Sequence, residues 1–485
     1  MEQQLDRSKP FDQQIPMDQQ IPMDLQIPMD LPIPIDQQIP LDLPIPIGQQ
    51  VPIGKQIPMP SQISTSPTTP VEESVAIIGF GAAGVNALIA LRCAGYQGKI
   101  RIFSNTRIPP YSPIMTSYYV GGTKSWEECF PWGAEELDSL KAEIHYDCPV
   151  LELSPEAHII RTSRGDFSYS KCVIATGATP VLSGFPSTDD YKPLVLRTMD
   201  DAERLKLAIT RPGCRRVLIS GASMVALKAL EACLERSLET TLVGISPHVL
   251  DFNALPVAAI RFEKGLREKG VELRLGQTIK AVKTIGHEAL RPSYSLEVTF
   301  SSGDTALYDE IIVAHGVKGN LEFVAKSTLE IDHALLVDEY MRTSDPDVYA
   351  AGDVVQATEL VSGDKRIVGI WKNAAVQGAC AGKAIAAEMA GTTIPSDAEF
   401  RGSISANTIA VKGTLFISAG IMEITSQRHR EVCEDENMTV VSVFENWADG
   451  SRRLVGFNVV CDEDEAGSVA YDTGAMLTLR IENTA

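Results

Sequence analysis

Through residues 7–60 apolar side chains recur around a proline at a fixed interval of six; from residue 74 they gather into blocks. "SVAIIGFGAAGVNALIAL" (74–91) opens as a buried-strand run, breaks at three glycines and resumes with helical spacing, which predicts strand, tight turn and helix. The same order returns at 216–236, "RVLISGASMVALKALEACLER". Short β-branched runs fill the space around these units: "KIRIFS" (99–104), "YSKCVIATGATP" (169–180), "ETTLVGI" (239–245), "YDEIIVAHGVKGN" (308–320) and "DVYAAGDVVQA" (347–357). Runs of this length alternating with helical patterns predict parallel sheets of βαβ units. Beyond residue 398 the texture changes: "TIAVKGTLFISAGI", "MTVVSVFENW" and "RRLVGFNVVC" read as strands, with a last short helix after them.

Residues 7–60 form nine hexads resembling "QQIPMD", with proline at every sixth position from 10 to 58. Proline at that interval forbids helix and removes one ladder donor per repeat, so an extended or polyproline-like tract is expected. Its composition fits a disordered repeat expansion, or alternatively a docking arm for a partner. The predicted architecture is therefore α/β. It has two Rossmann-like three-layer domains (71–195 with 325–398, and 196–324), a C-terminal α+β domain (399–485) and a disordered proline-rich segment (1–70).

At 485 residues with 44% hydrophobic content the chain is long enough for two or three cores. A formal charge of −20 repels phosphate backbones and anionic lipid, which disfavours nucleic-acid and membrane-surface partners. The nine cysteines show no CxxC and no regular spacing, so neither a disulfide framework nor a metal site is expected, and a reducing, cytoplasmic setting fits. "MEQQLD" at the start lacks the basic and apolar regions of a secretory signal. Hydropathy flags 75–91 as a candidate membrane span, but three glycines in six residues favour a buried strand and helix.

Gly79, Gly81 and Gly84 have the spacing that lets a strand turn sharply, admits a pyrophosphate against the backbone and packs the next helix close; Ala82 and Ala83 lie within the turn. An acidic residue usually follows the next strand to take the adenosine ribose; "FSNTR" leaves Asn105 or Thr106 to do so by neutral hydrogen bonds. Two dispersed segments complete a pattern: "CVIATGATP", with Ala175, Thr176 and Gly177, and "VDEYMRTSDPDVYAAGDV", with Gly352 and Asp353. Together the three segments resemble the FAD signatures of the pyridine nucleotide-disulphide oxidoreductase family, over roughly residues 73–480. The resemblance implies bound FAD, with the Gly-Asp pair toward the ribityl and pyrophosphate part. By a further likeness to electron-transfer flavoprotein subunits, Trp371 to Gln377 lie near the flavin pyrimidine end, although Trp371 also reads as core packing.

In the branch resembling NADH oxidases a redox cysteine precedes a "PYYxGG"-like tail. Aligned on Tyr118, Tyr119, Gly121 and Gly122, that position is Ile114, which can neither attack a disulfide nor carry electrons. Cys129, the nearest thiol downstream, sits beside Glu127 and Glu128, which raise a thiol pKa. "PPYSP" (109–113) lies closer to the branch resembling rubredoxin reductases and nitrite reductase flavin domains, which implies a protein electron acceptor. Tyr111 and Tyr118 are candidates for hydrogen bonds near the reactive ring.

In the second unit Gly221, Ser223 and Ala226 occupy the three small positions, and Gly316 with Asn320 closes the domain as in the resembling family. Gly244 stands where the acid that selects NAD usually lies, Lys228 replaces a family glutamate, and His248 is the only cationic candidate nearby. Nicotinamide binding, NADH or NADPH, is expected there, with a nucleotide-free scaffold as the alternative. The reading is an FAD-dependent reductase passing electrons from NAD(P)H to a protein acceptor or partner subunit, with a possible homodimer through the C-terminal domain. The alternatives are an oxygen-using NADH oxidase and a non-catalytic FAD-binding subunit.

Overall fold

The computed structural model describes residues 73–186, 191–285, 296–448 and 450–482. The hexad tract and its expected disorder lie outside the described residues. From residue 74 the predicted order holds: strand Ser74–Ile78, helix Ala82–Cys93, strand Lys99–Phe103. The 75–91 block is thus a fully buried strand followed by a helix, and no described helix is long and apolar enough to cross a membrane.

Two parallel sheets carry the architecture. The first has five strands in the spatial order 348–350, 171–174, 74–78, 99–103, 143–145. The second has four in the order 272–275, 239–244, 216–220, 310–313. In both, the strand that leads into a glycine turn is interior, so its residues are buried on both faces, as the unbroken "SVAII" and "VLIS" runs require. Two three-stranded antiparallel sheets, 150–154 with 159–162 and 165–168, and 279–284 with 296–300 and 305–308, had no sequence expectation. Most of their strands are short and half exposed, although Leu296–Phe300 alternates cleanly, with Leu296, Val298 and Phe300 buried.

The helix Ala82–Cys93 lies against the long helix Trp371–Met389 at backbone contact. A Cβ on Gly378 would fall 2.1 Å from Ala83 O, and one on Gly382 2.5 Å from Ala87 O. A small-residue seam formed from two distant segments thus seats the start of the later helix beside the first glycine turn.

The C-terminal region is a five-stranded antiparallel sheet, in the order 406–411, 414–420, 452–462, 438–446, 428–434, followed by the helix Glu463–Glu482. That helix runs 20 residues, longer than the short one expected. The strand Arg428–Glu434 was not expected either: "RHREVCE" is largely exposed, and charged side chains are how a sheet protects its open edge. The sheet packs on the helix Pro256–Glu268 through Phe262 and Phe416, whose ring centroids are 5.8 Å apart. Fully buried Asn458 fastens the junction, accepting from Leu255 N and donating to Asn253 O, each at 2.8 Å.

Gly378→Ala is expected to push the two helices apart and to cost about 1–3 kcal/mol, the usual range for overpacking a close contact. A lowered urea midpoint at unchanged m-value would register it; an unchanged midpoint would show that the seam gives way freely.

Candidate functional site

Gly79 leaves its strand at φ +105°, and a Cβ there would lie 2.2 Å from Ala175 O. Only glycine meets both demands. Two hydrogen bonds frame the turn, Gly79 N to Phe103 O and Ala175 N to Ile78 O, each 2.8 Å. Gly84 sits beneath it, with its would-be Cβ 2.1 Å from Gly79 O, whereas a Cβ on Gly81 would meet nothing within 4 Å. Gly81 is the N-cap of the following helix and supplies no side-chain cap. The helix start thus has no side-chain cap and open space beside Gly81, the arrangement that suits a phosphate.

The second turn repeats this frame bond for bond. Gly221, at φ +125°, would place a Cβ 2.3 Å from Ala314 O. Gly221 N donates to Val243 O and Ala314 N to Ser220 O, again at 2.8 Å each. Ser223 is the N-cap of the helix Met224–Glu235, and its hydroxyl makes no capping bond. Ala226 is fully buried without disturbing the turn. Ser223 and Ala226, in place of the second and third glycines of the first unit, leave the geometry of the turn intact.

Three segments converge on the first turn. A Cβ on Gly352 would contact the Cβ atoms of Ala83 (3.3 Å) and Ala374 (3.5 Å), and Gly352 N donates to buried Gln377 Oε1 at 2.8 Å. The neighbouring carboxylate of Asp353 accepts from Arg197 Nη2 at 2.7 Å, while Arg197 Nε donates to Ala178 O at 3.0 Å. Arg197 was not among the sequence candidates. Its signal was the capping box directly after it, in which Thr198 and Asp201 exchange side-chain and backbone bonds and fix how the chain leaves Arg197.

The "ATG" segment is held by Asn320. Thr176 Oγ1 donates to Asn320 O, Asn320 Nδ2 donates to Thr176 O, both at 2.9 Å, and Thr179 Oγ1 donates to Asn320 Oδ1 at 2.6 Å. Asn320 N donates to Gly177 O at 3.0 Å. The strand Val317–Gly319 pairs antiparallel with Ala178–Pro180, so Gly316 and Gly177 bracket a two-stranded ribbon at which the two sheet regions meet. Asn105, by contrast, stands exposed beyond its strand, apart from the Ser104–Thr106 hydroxyl pair at 3.0 Å.

Two buried polar groups beside the first turn have no protein partner. Trp371 Nε1 and Asn373 Oδ1 are buried with no hydrogen bond, although Asn373 Nδ2 donates to Val368 O at 2.8 Å. Each orphan costs about 1–3 kcal/mol unless a bound group completes it. They lie in the first turn of the Trp371–Met389 helix, and Trp371 is tilted against Trp132 at 6.2 Å between centroids. An uncapped helix start with open space, a carboxylate held by an arginine, and orphaned polar atoms together suit a large dinucleotide.

Around the position where a redox thiol would lie, Ile114 is half exposed at the start of the helix Met115–Gly121. Cys129 is fully buried; burial first, then the charges of Glu128 and Glu127, push its thiol above the ordinary range. Tyr118 is engaged from the second glycine unit: Lys228 Nζ donates to its hydroxyl at 3.0 Å and to Glu231 at 2.7 Å. Burial would lower the Lys228 pKa, but these bonds outweigh it and hold the ammonium above the usual lysine value. The residue that replaced the family glutamate is therefore a strut between the Met224–Glu235 helix and the Met115–Gly121 helix. Tyr111 is largely buried against Phe130, and burial raises its phenol.

Two parallel sheets, each with a glycine turn at the carboxyl end of an interior strand, define an oxidoreductase built to hold two dinucleotides. Residues 73–378 match the model of the pyridine nucleotide-disulphide oxidoreductase family, and the chain belongs to it. It is accordingly an oxidoreductase that binds FAD and uses a pyridine nucleotide. It is 28% identical over 354 residues to the NADH-dependent phenylglyoxylate dehydrogenase subunit epsilon of Aromatoleum evansii, covering 71% of this chain and 78% of that one. It is 27% identical to the rubredoxin-NAD(+) reductase of Pseudomonas putida, covering 67% and 81%. In fold it resembles the NADH-bound water-forming NADH oxidase of Lactobacillus brevis, with a TM-score of 0.73 at 19% identity over 84% of this chain and 91% of that one.

Arg197→Ala leaves Asp353 without its cation and is expected to lower FAD retention roughly tenfold, the scale of one charge-assisted hydrogen bond. The flavin-to-protein absorbance ratio after dialysis reads this out. Because the Cys129 thiolate is suppressed and buried, iodoacetamide at pH 8.5 should label exposed Cys93 and Cys433 in the native protein and leave Cys129 unmodified. Peptide mapping that finds Cys129 alkylated at a similar rate would refute its inert role.

Proposed function

We propose that this protein takes hydride from a nicotinamide nucleotide held at the second glycine turn and passes the electrons, through FAD held at the first, to a protein carrier or partner subunit. The observation that carries this reading is the bond-for-bond repetition of the two turns combined with Ile114 at the redox-thiol position. With Cys129 buried and its thiolate suppressed, no thiol relay lies between the flavin and the acceptor. A protein acceptor agrees with the reductase names of the relatives. Bound FAD supplies two-electron acceptance and one-electron release.

The chain's own residues supply the rest of the machinery. Gly79, Gly81, Gly84 and the first helix turn receive the flavin nucleotide's pyrophosphate; Ala175, Thr176 and Gly177, braced by Asn320, close over it. Asp353, steered by Arg197, takes ribityl or ribose hydroxyls, and Asn105 takes the adenosine ribose. Trp371 Nε1 and Asn373 Oδ1 complete their hydrogen bonding on the flavin. Gly221, Ser223, Ala226 and Gly316 shape the nicotinamide nucleotide site. The nine free cysteines accord with a reducing, cytoplasmic setting.

Anaerobic titration of the flavin-loaded protein with NADH or NADPH should bleach the flavin band. The reduced protein should then reoxidise at least tenfold faster with a rubredoxin or ferredoxin than with air-saturated buffer. Bleaching followed by rapid reoxidation in air alone points instead to an oxidase, and failure of both nucleotides to bleach points to a structural FAD subunit.

A further inference from the structure

The end of strand Glu239–Gly244 carries no acid because it has no room for a side chain: a Cβ on Gly244 would lie 2.9 Å from Ala222 Cβ. The chain after it supplies a carboxylate by another route. Ser246 O accepts from Gly276 N at 2.9 Å, and Gly244 O accepts from Gln277 N at 3.0 Å, which anchors the strand end to the neighbouring strand. The loop then turns back on itself. Leu250 adopts the left-handed conformation, φ +58°, and its N–H donates to Ala222 O at 2.8 Å, inside the glycine turn. That fold-back delivers Asp251, whose Oδ2 accepts from Ser246 Oγ at 3.0 Å. An exposed carboxylate thus stands two residues beyond the strand end, although in sequence it is seven away.

The cations around this loop are already matched. His248 Nδ1 lies 3.0 Å from Glu263 Oε1, which also accepts from Val249 N at 3.1 Å, and Arg267 lies 3.5 Å from the other oxygen of the same buried carboxylate. Arg274, paired across the sheet with Val243, is bonded to Glu272 at 2.7 Å and lies 3.7 Å from Asp304. His248, the cationic candidate from the sequence, is therefore turned into the protein rather than left for a phosphate. The side chain that follows Gly244 is exposed, apolar Ile245, which suits an adenine face and offers nothing to a phosphate.

We infer that Asp251, oriented by Ser246, is the residue that reads the adenosine ribose of the nicotinamide nucleotide and selects NADH over NADPH. A carboxylate accepts hydrogen bonds from the 2′- and 3′-hydroxyls, and it repels a 2′-phosphate. The inference rests on the reading of the second glycine turn as the nicotinamide site.

The test uses the FAD-loaded full chain with two readouts: equilibrium binding of NAD+ and NADP+ by titration calorimetry, and anaerobic flavin bleaching by NADH and NADPH. Wild type should favour the NAD form by about a hundredfold, since a hydrogen bond to a charged group and a repelled phosphate each contribute roughly a factor of ten or more. Asp251→Asn should cut that preference to within a few fold, mainly by weakening NAD+ and raising KM for NADH. Asp251→Glu should restore part of it, and Ser246→Ala should fall between. Asp251 is exposed, so these variants are expected to keep wild-type FAD content and melting temperature. If both nucleotides bind and bleach but Asp251→Asn keeps the wild-type preference, the role of Asp251 is overturned while the site reading stands. If neither nucleotide binds to wild type, the site reading fails and takes this inference with it.

Discussion

A carbonyl oxygen pressed against a glycine sets the geometry on which both halves of the molecule depend. At Gly79 the oxygen is that of Ala175, and at Gly221 that of Ala314. In each case the strand that ends under the turn donates its next N–H back to the glycine's own strand, so two neighbouring strands and one turn form a closed frame. A side chain at either glycine would separate the strands and misdirect the helix start that follows. The turn is thus specified by exclusion, which is why its two copies agree in geometry while differing at most of their residues.

That same logic explains what could and could not be read from the sequence. The fold class and the glycine turns were legible because each depends on a short continuous string with its own periodicity and spacing, whereas the "ATG" and Gly-Asp segments stood out through their resemblance to the family's signatures. Arg197 was not legible: its partner Asp353 lies far along the chain, and only the capping box beside it fixes its direction. Lys228 looked like a lost glutamate, yet it joins two helices through Tyr118. His248 looked like a free cation because Glu263, on another element, leaves no mark near it in sequence. The edge strand Arg428–Glu434 and the exposed strand Ile279–Thr284 escaped notice because exposed strands need no hydrophobic run, whereas Leu296–Phe300 carried a readable alternation that was passed over. The comparisons settle the family and the cofactor class, whereas the individual residue roles rest on the geometry.

The helix Pro256–Glu268 links parts that would otherwise be independent. Glu263 on it fixes the loop after Gly244, and Phe262 on the same helix packs into the C-terminal sheet. Asn458 of that sheet holds the backbone at Asn253 and Leu255, at the far end of the loop. The loop is therefore clamped from both ends by buried groups, and only Ile245, Asp251, Phe252 and their neighbours stay open to solvent. A loop anchored in this way would let a single exposed carboxylate discriminate between ligands, as the role inferred for Asp251 requires.

The ribbon formed by Ala178–Pro180 and Val317–Gly319 means that the polypeptide leaves the first sheet region and returns to it at one spot. Everything between those two strands behaves topologically as an insertion with adjoining ends. A gene from which that stretch was cut, with a tight hairpin in its place, would still encode the first parallel sheet, its glycine turn and Asp353, but it would lose Arg197, the cation that holds that carboxylate. Conversely, a foreign dinucleotide-binding unit with adjoining ends could be spliced there without lengthening the path of the host chain. The two-stranded crossing is the seam at which the stretch between them joins the rest of the chain.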